Sequence, residues 1–139
     1  PARDPKLRQE ALVRGAFLHE RQGHVPAGLA LIDRAGVSGD IVIDFAAAMV
    51  RAGLFDRDGR PDEAAEAYES ALRLAPGAQV PAIGRAAALQ RAGRIDEAVA
   101  AADHAKRMVT ETVDPWLVFL KADDRFVDKW LAELRGMLK

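Results

Sequence analysis

A chain of 139 residues with 20 basic and 21 acidic side chains carries a net charge of −1, which argues against a general nucleic-acid binder. It contains no cysteine, and this excludes disulfides, thiolate metal sites and cysteine nucleophiles. Half of the residues are hydrophobic but only 6% are aromatic, with alanine supplying much of that half, so one domain built from closely packed helices is expected.

Helical spacing begins in "LVRGAFLHERQG", which ends at Gly23. "HVPAGLALIDRAG" continues with Pro26 near a first helical turn and Gly36 at a helix end. "GVSGD" (36–40) reads as a loop. In "DIVIDFAAAMVRAGLF" the residues Phe45, Ala48, Met49, Ala52 and Phe55 fall at helical spacing. "GRPDEAAEAY" opens the next helix at Gly59, with Ala64, Ala67, Tyr68, Ala71 and Leu72 on one side, and "LAPG" (74–77) stops it. "QVPAIGRAAALQRA" places Ile83, Ala86 and Leu89 on another helix. "GRIDEAVAAA" then starts a further one at Gly93, with Ala98, Ala101, Ala102 and Ala105. Asp62, Glu63, Asp96 and Glu97 sit where acidic residues cap free N–H groups and meet the positive end of a helix dipole.

Gly59 and Gly93 lie 34 residues apart, and both open Gly-Arg-x-Asp-Glu-Ala. Gly23 stands 36 residues before Gly59, the surplus falling in the loop around 36–40. A helix–turn–helix unit of this period with glycine at the turn resembles the tetratricopeptide repeat. Gly59, Ala64, Tyr68, Ala71 and Pro76 match that family's signature spacings; Gly93, Ala98 and Ala105 follow them; Gly23, Ile32 and Ala35 are kept in the first unit. In the first helices Leu12, Ala16 and His19, then Ala48, Ala52 and Phe55, then Ala82, Ala86 and Leu89 stand at signature sites. The chain departs from the pattern at Gly28, where a small alanine is usual, at Ala102, where an aromatic is usual, and at Gly15, Arg51 and Arg85, where leucine is usual. The resemblance covers residues 7–109. It implies an all-α, right-handed helical solenoid of three repeats (7–36, 41–75 and 79–109) forming a single domain over 1–139.

The last 30 residues leave the repeat. Asp114 and Pro115 precede an apolar run as a cap and first turn would, and Phe126, Trp130, Leu134 and Leu138 share a stripe in a second segment. Residues 114–138 are therefore expected to form a capping helix pair over the open apolar end of the last repeat. An alternative is that Trp116, Phe126 and Trp130 form a partner-binding or self-association surface.

No catalytic constellation emerges. "HERQGH" (19–24) is one residue longer than a zinc-binding HExxH, so His19 and His24 stand about 140° apart around a helix. His19 is expected to pack between helices and His24 to lie in a solvated turn. Asp103 and His104 are adjacent and point apart. Ser38 and Ser70 are the sole serines and neither lies in a nucleophile turn. No enzymatic activity, metal or cofactor is expected.

The resemblance also implies that the first helices line a concave groove for a partner segment. Carried over residue by residue, Val13, Met49 and Ile83 form one row and Phe17, Gly53 and Ala87 a second. Arg21, Arg57 and Arg91 occupy the same place in each repeat, giving an arginine row along one side. Such a groove suits a peptide or helix with apolar anchors and acidic groups. The family's carboxylate clamp uses lysine and asparagine where this chain has Val13, Met49 and Phe17, so chaperone tails are poor candidates. A non-catalytic adaptor or scaffold is the expected function, with the repeat portion of a larger enzyme as the alternative. Arginine outnumbers lysine 15 to 5, which beside so much alanine reads as the codon bias of a GC-rich bacterial genome. The chain starts at Pro1 and is expected to be trimmed, so the missing signal peptide leaves cytoplasm and periplasm both open.

Overall fold

A computed structural model describes residues 4–108 and 114–121. They form seven helices and, among the described residues, no strand. The helices are α1 (Pro5–Gln22), α2 (Val25–Ala35), α3 (Ile41–Arg57), α4 (Pro61–Leu74), α5 (Gln79–Arg91) and α6 (Ile95–Arg107), followed by α7 (115–121). Consecutive helices pack as three hairpins, α1 with α2, α3 with α4 and α5 with α6. The helix α3 also packs on α1 and α2, whereas α5 packs on α4 and α6.

The three turn glycines end their helices by one mechanism. The N–H groups of Gly23, Gly59 and Gly93 donate to the carbonyls of Glu20, Asp56 and Gln90, and those of His24, Arg60 and Arg94 to the carbonyls of His19, Phe55 and Leu89. This double bond pattern is the Schellman cap, which needs a left-handed residue. The three glycines have φ of 76°, 69° and 76°. Nothing lies within 4 Å of a side chain added at Gly59, so the constraint there is conformational and not steric. Gly59→Ala is expected to cost about 1 kcal/mol, measurable as an unchanged denaturant m-value with a lower midpoint.

The acidic residues after each glycine behave differently from their sequence expectation. No side chain caps the N-terminus of α4 or α6. Their N-cap residues are arginines that reach forward onto the acid instead. Arg60 Nε donates to Glu63 Oε1 at 2.6 Å, and Arg94 grips Glu97 with Nε at 3.0 Å and Nη2 at 2.7 Å. Arg94 Nη1 also donates to Asp62 of the preceding copy, at 3.2 Å. The Gly-Arg-x-Asp-Glu motif thus stops one helix, staples the first turn of the next and ties successive hairpins together. The Arg94 hydrogen bond holds the exposed Glu97 carboxyl below the usual glutamate range.

The surplus residues between the first two hairpins fold into a compact turn. The Asp44 carboxylate accepts from the N–H and Oγ of Ser38 and from the N–H of Gly39. Asp40 caps α3, its Oδ1 accepting from the N–H groups of Val42 and Ile43, and pairs with Lys6 at 2.8 Å. The Lys6 hydrogen bond, then that from Ile43, lowers the Asp40 carboxyl below its ordinary value. A lowered native value stabilises the fold above the unfolded-state value, and this contribution disappears as the pH falls through the native one. Asp40→Ala is therefore expected to cost about 1 kcal/mol at neutral pH, with the gap to wild type closing in strong acid. Thermal melts of both proteins across a pH series check this.

The core falls into three clusters. Val13, Ala16, Ile32, Ile43, Val50, Leu54 and Phe119 join α1, α2, α3 and α7. Ala64, Ala65, Ala88, Leu89, Ala98 and Ala101 join α4, α5 and α6. Phe45, Met49, Ala71 and Ala78 fill the space between α3 and the α4–α5 connection. At Gly28 a Cβ would stand 2.6 Å from Leu54 Cδ2. Leu54 is fully buried and cannot retreat, so this unit holds glycine where the family pattern has alanine.

Candidate functional site

The first helices and α7 meet on one face. Trp116 and Phe119, one turn apart on α7, both turn toward α1 and α3. Trp116 meets Phe17 edge-on with ring centroids 5.4 Å apart, and Phe119 meets it at 6.0 Å. The Trp116 and Phe119 rings stack at 5.4 Å. Trp116 also packs on the cluster around Phe45 and Met49, while Phe119 is buried as part of the core cluster shared by α1, α2 and α3. The Arg14 guanidinium lies 4.2 Å over the Phe119 ring, and its Nη1 donates to the Phe119 carbonyl at 3.3 Å.

Asp114 fixes the other end of the segment. It is only 8% exposed. Its Oδ1 accepts from the Trp116 N–H at 2.9 Å, capping α7, and its Oδ2 accepts from the Val80 N–H at 3.2 Å. Val80 lies in the first turn of α5, whose N-cap residue Ala78 offers no capping side chain. One carboxylate thus serves the free N–H groups of two helices 34 residues apart.

The residues of the expected groove are distributed as follows. Val13 and Met49 are buried, in separate clusters, and Phe17 is half-buried under α7. Ile83 is 55% exposed and lies with Ala86, Ala87, Ile95 and Val99 on the far end of α5 and α6. The expected rows are therefore not one open floor. Gly53 faces the Glu20 carboxylate, which a Cβ there would approach to 3.0 Å.

The arginine row is drawn into ion pairs between repeats. Arg57 Nε donates to Glu20 at 2.8 Å, and Arg91 to Asp56 at 2.5 Å. Each acid supplies a carbonyl to a Schellman turn, and each arginine stands one residue further along the next first helix. The acid of one hairpin therefore meets the arginine of the next. Asp56 also accepts from the Tyr68 hydroxyl at 3.0 Å. Burial, reinforced by the Asp56 charge, pushes the Tyr68 phenol well above its ordinary pKa, so it remains a donor. The Tyr68 ring lies over Gly84, where a Cβ would meet it at 2.6 Å. Arg21, first in the row, has no acidic partner among the described residues and lies 5.8 Å over the Phe17 ring.

The remaining sequence candidates are also placed. His19 is half-buried and His24 exposed, with ring centroids 5.7 Å apart. Glu20 between them is committed to Arg57. Among the described residues no three His, Asp or Glu side chains could share a metal ion, and no helix is long and apolar enough to cross a membrane. Phe126 and Trp130 lie outside the described residues.

The expectation for the C-terminal segment needs correction in its first half. Residues 115–121 do not lie over α5 and α6 but against α1 and α3, and Ile83, Ile95 and Val99 at the far end stay more than half exposed. The physical reason is the partners each site offers. The α1–α3 face gives Phe17, Met49 and Arg14 to two large rings, while the α5–α6 end presents aliphatic side chains, Ile83, Ile95, Val99 and alanines, and no aromatic one. The long-range contacts of Arg14, Asp114 and Phe119 were not legible because each reaches across more than 30 residues of sequence. The uncapped start of α5 at Ala78 was the one local sign that a cap comes from elsewhere. The chain matches no known protein family, no curated protein and no solved structure.

Proposed function

We propose that this chain is a non-catalytic protein-interaction module, a tetratricopeptide-like solenoid that holds a short helical segment of another protein against α1, α3 and the start of α5. One observation carries the reading: that face already holds about two turns of helix, α7, by its aromatic side chains and its acidic cap. A surface that seats one such helix has the shape and chemistry to seat another, the helix-in-groove mode of recognition. The arginine row contributes stiffness between repeats, and Arg21 is the member left to meet an acidic group.

The test compares wild type with two variants on α1, Phe17→Ala in the face and Leu18→Ala on the exposed side. Immobilised proteins capture partners from the native lysate, and the affinity of each purified partner is then titrated. Phe17→Ala is expected to weaken binding about tenfold or more, while Leu18→Ala leaves it unchanged. Equal binding by all three folded proteins would exclude the face.

The exposed apolar end at Ile83, Ile95 and Val99 favours a second reading. In it the hairpins are the repeat portion of a larger protein, such as an enzyme whose substrate they position, and a further helical unit packs on this end. The intact mass of the native protein decides between the two readings.

A further inference from the structure

We infer that residues 114–121 are an internal stand-in for the partner, occupying its site until a partner helix displaces them. The inference rests on the interaction-module reading and specifies its ligand: a short helix headed by an acidic residue, with aromatic residues two and five positions further on.

Three observations support a displaceable occupant over a permanent core element. Among the described residues, the segment is held from one side only. Trp116 and Phe119 face inward, while Leu117 and Val118 on its back stay 47% and 41% exposed. Its polar anchors are ones that any acid-capped helix could provide. Arg14 reads a main-chain carbonyl, and the Val80 N–H reads a carboxylate. Finally, α5 has no capping side chain of its own. Departure of Asp114 leaves the Val80 N–H without an acceptor, and a partner's acid restores one.

The aromatic spacing follows from the same geometry. Residues three apart share a helix face, so Trp116 and Phe119 reach Phe17 together while Asp114 reaches α5. A helix with a single aromatic leaves either the Phe17 ring or the place of Phe119 in the α1–α3 core without its partner. Because the internal segment is tethered, it competes at an effective concentration in the millimolar range. A partner must exceed that, and the free affinity of the face is masked in the wild-type chain.

The experiment uses the full-length chain and a fluorescent synthetic peptide with the sequence of residues 110–123. Fluorescence anisotropy measures its binding to wild type and to the Trp116→Ala, Phe119→Ala double variant, whose internal segment has lost both anchors. The double variant is expected to bind the peptide at least about tenfold more tightly than wild type. Peptides carrying Asp114→Ala or Phe119→Ala should lose most of that affinity. A folded double variant that binds no better than wild type overturns the inference. If the double variant does not fold, hydrogen exchange on wild type decides. Amides of 115–121 that exchange far faster than those of α1 and α3 support a displaceable segment, and equal protection overturns it.

The two readings fail separately. A released chain that binds the peptide yet captures no protein keeps a displaceable segment and removes the partner it would stand in for, and with it the interaction module. A captured partner that the peptide does not displace keeps the module and removes the stand-in.

Discussion

Phe45→Ala should be the most damaging single truncation in the molecule, lowering stability by about 4 kcal/mol. Phe45 is fully buried against Met49, Ala71 and Ala78, with Trp116 at the edge of the cluster. The cost of a large-to-small change depends on how far the surroundings can collapse into the space. Two of these neighbours are alanines, which have no rotamers to turn inward, and both are tied to the end of α4 and the start of α5. Of the buried neighbours only Met49 has a side chain that can move into the cavity, and Tyr68 and Trp116 at its edge are bulky rings held by their own contacts. Phe119 is buried as deeply, but its loss can be relieved by release of α7, so Phe119→Ala should cost less. The melting temperature of Phe45→Ala is expected to drop by roughly 15 °C, at about 4 °C per kcal/mol for a domain of this size. A smaller drop for Phe45→Ala than for Phe119→Ala would show that α7 is the firmer part of the fold.

Asp56→Ala should cost about 2–3 kcal/mol, and Glu20→Ala less than about 1 kcal/mol. The two acids occupy the same place in successive hairpins and each takes an arginine from the next. They differ in what else they hold. Both pair with arginines that are about half exposed, so both ion pairs are screened by water, and Glu20 has no further partner among the described residues. Asp56 also accepts from the Tyr68 hydroxyl beneath it. Removing Asp56 leaves a largely buried donor without a partner, which costs its full desolvation. Tyr68→Phe in the Asp56→Ala background should recover much of the loss, because it deletes the stranded hydroxyl. Denaturant titrations of the four proteins measure this, and Glu20→Ala should also be the variant whose effect fades with added salt. Equal losses for the two acids would mean that the Tyr68 hydrogen bond contributes nothing.

The contrast between these rungs shows where sequence reading stops. Arg57 and Arg91 are legible as a periodic pair, because the helix period repeats them at one position. That each is matched by an acid from the preceding hairpin is not legible, since the pairing depends on how far one hairpin is rotated on the next. The same limit applies to Gly28. Its departure from the family pattern is visible, but the reason is a leucine 26 residues away that fills the place of a side chain.

The sequence by itself determined the all-helical class, the helix–turn–helix alternation and the site of each turn. These follow from interactions within a few residues: apolar spacing near 3.6, a glycine free to adopt positive φ, and a proline or acid in a first turn. Only the tertiary structure decided which surface α7 covers, which charges meet and which apolar end stays open. Those outcomes compare alternative contacts among distant residues. Trp116 and Phe119 could satisfy their apolar surface in more than one place, and the site that offers Phe17, Met49 and Arg14, with an N–H of α5 to meet Asp114, was the one that held them.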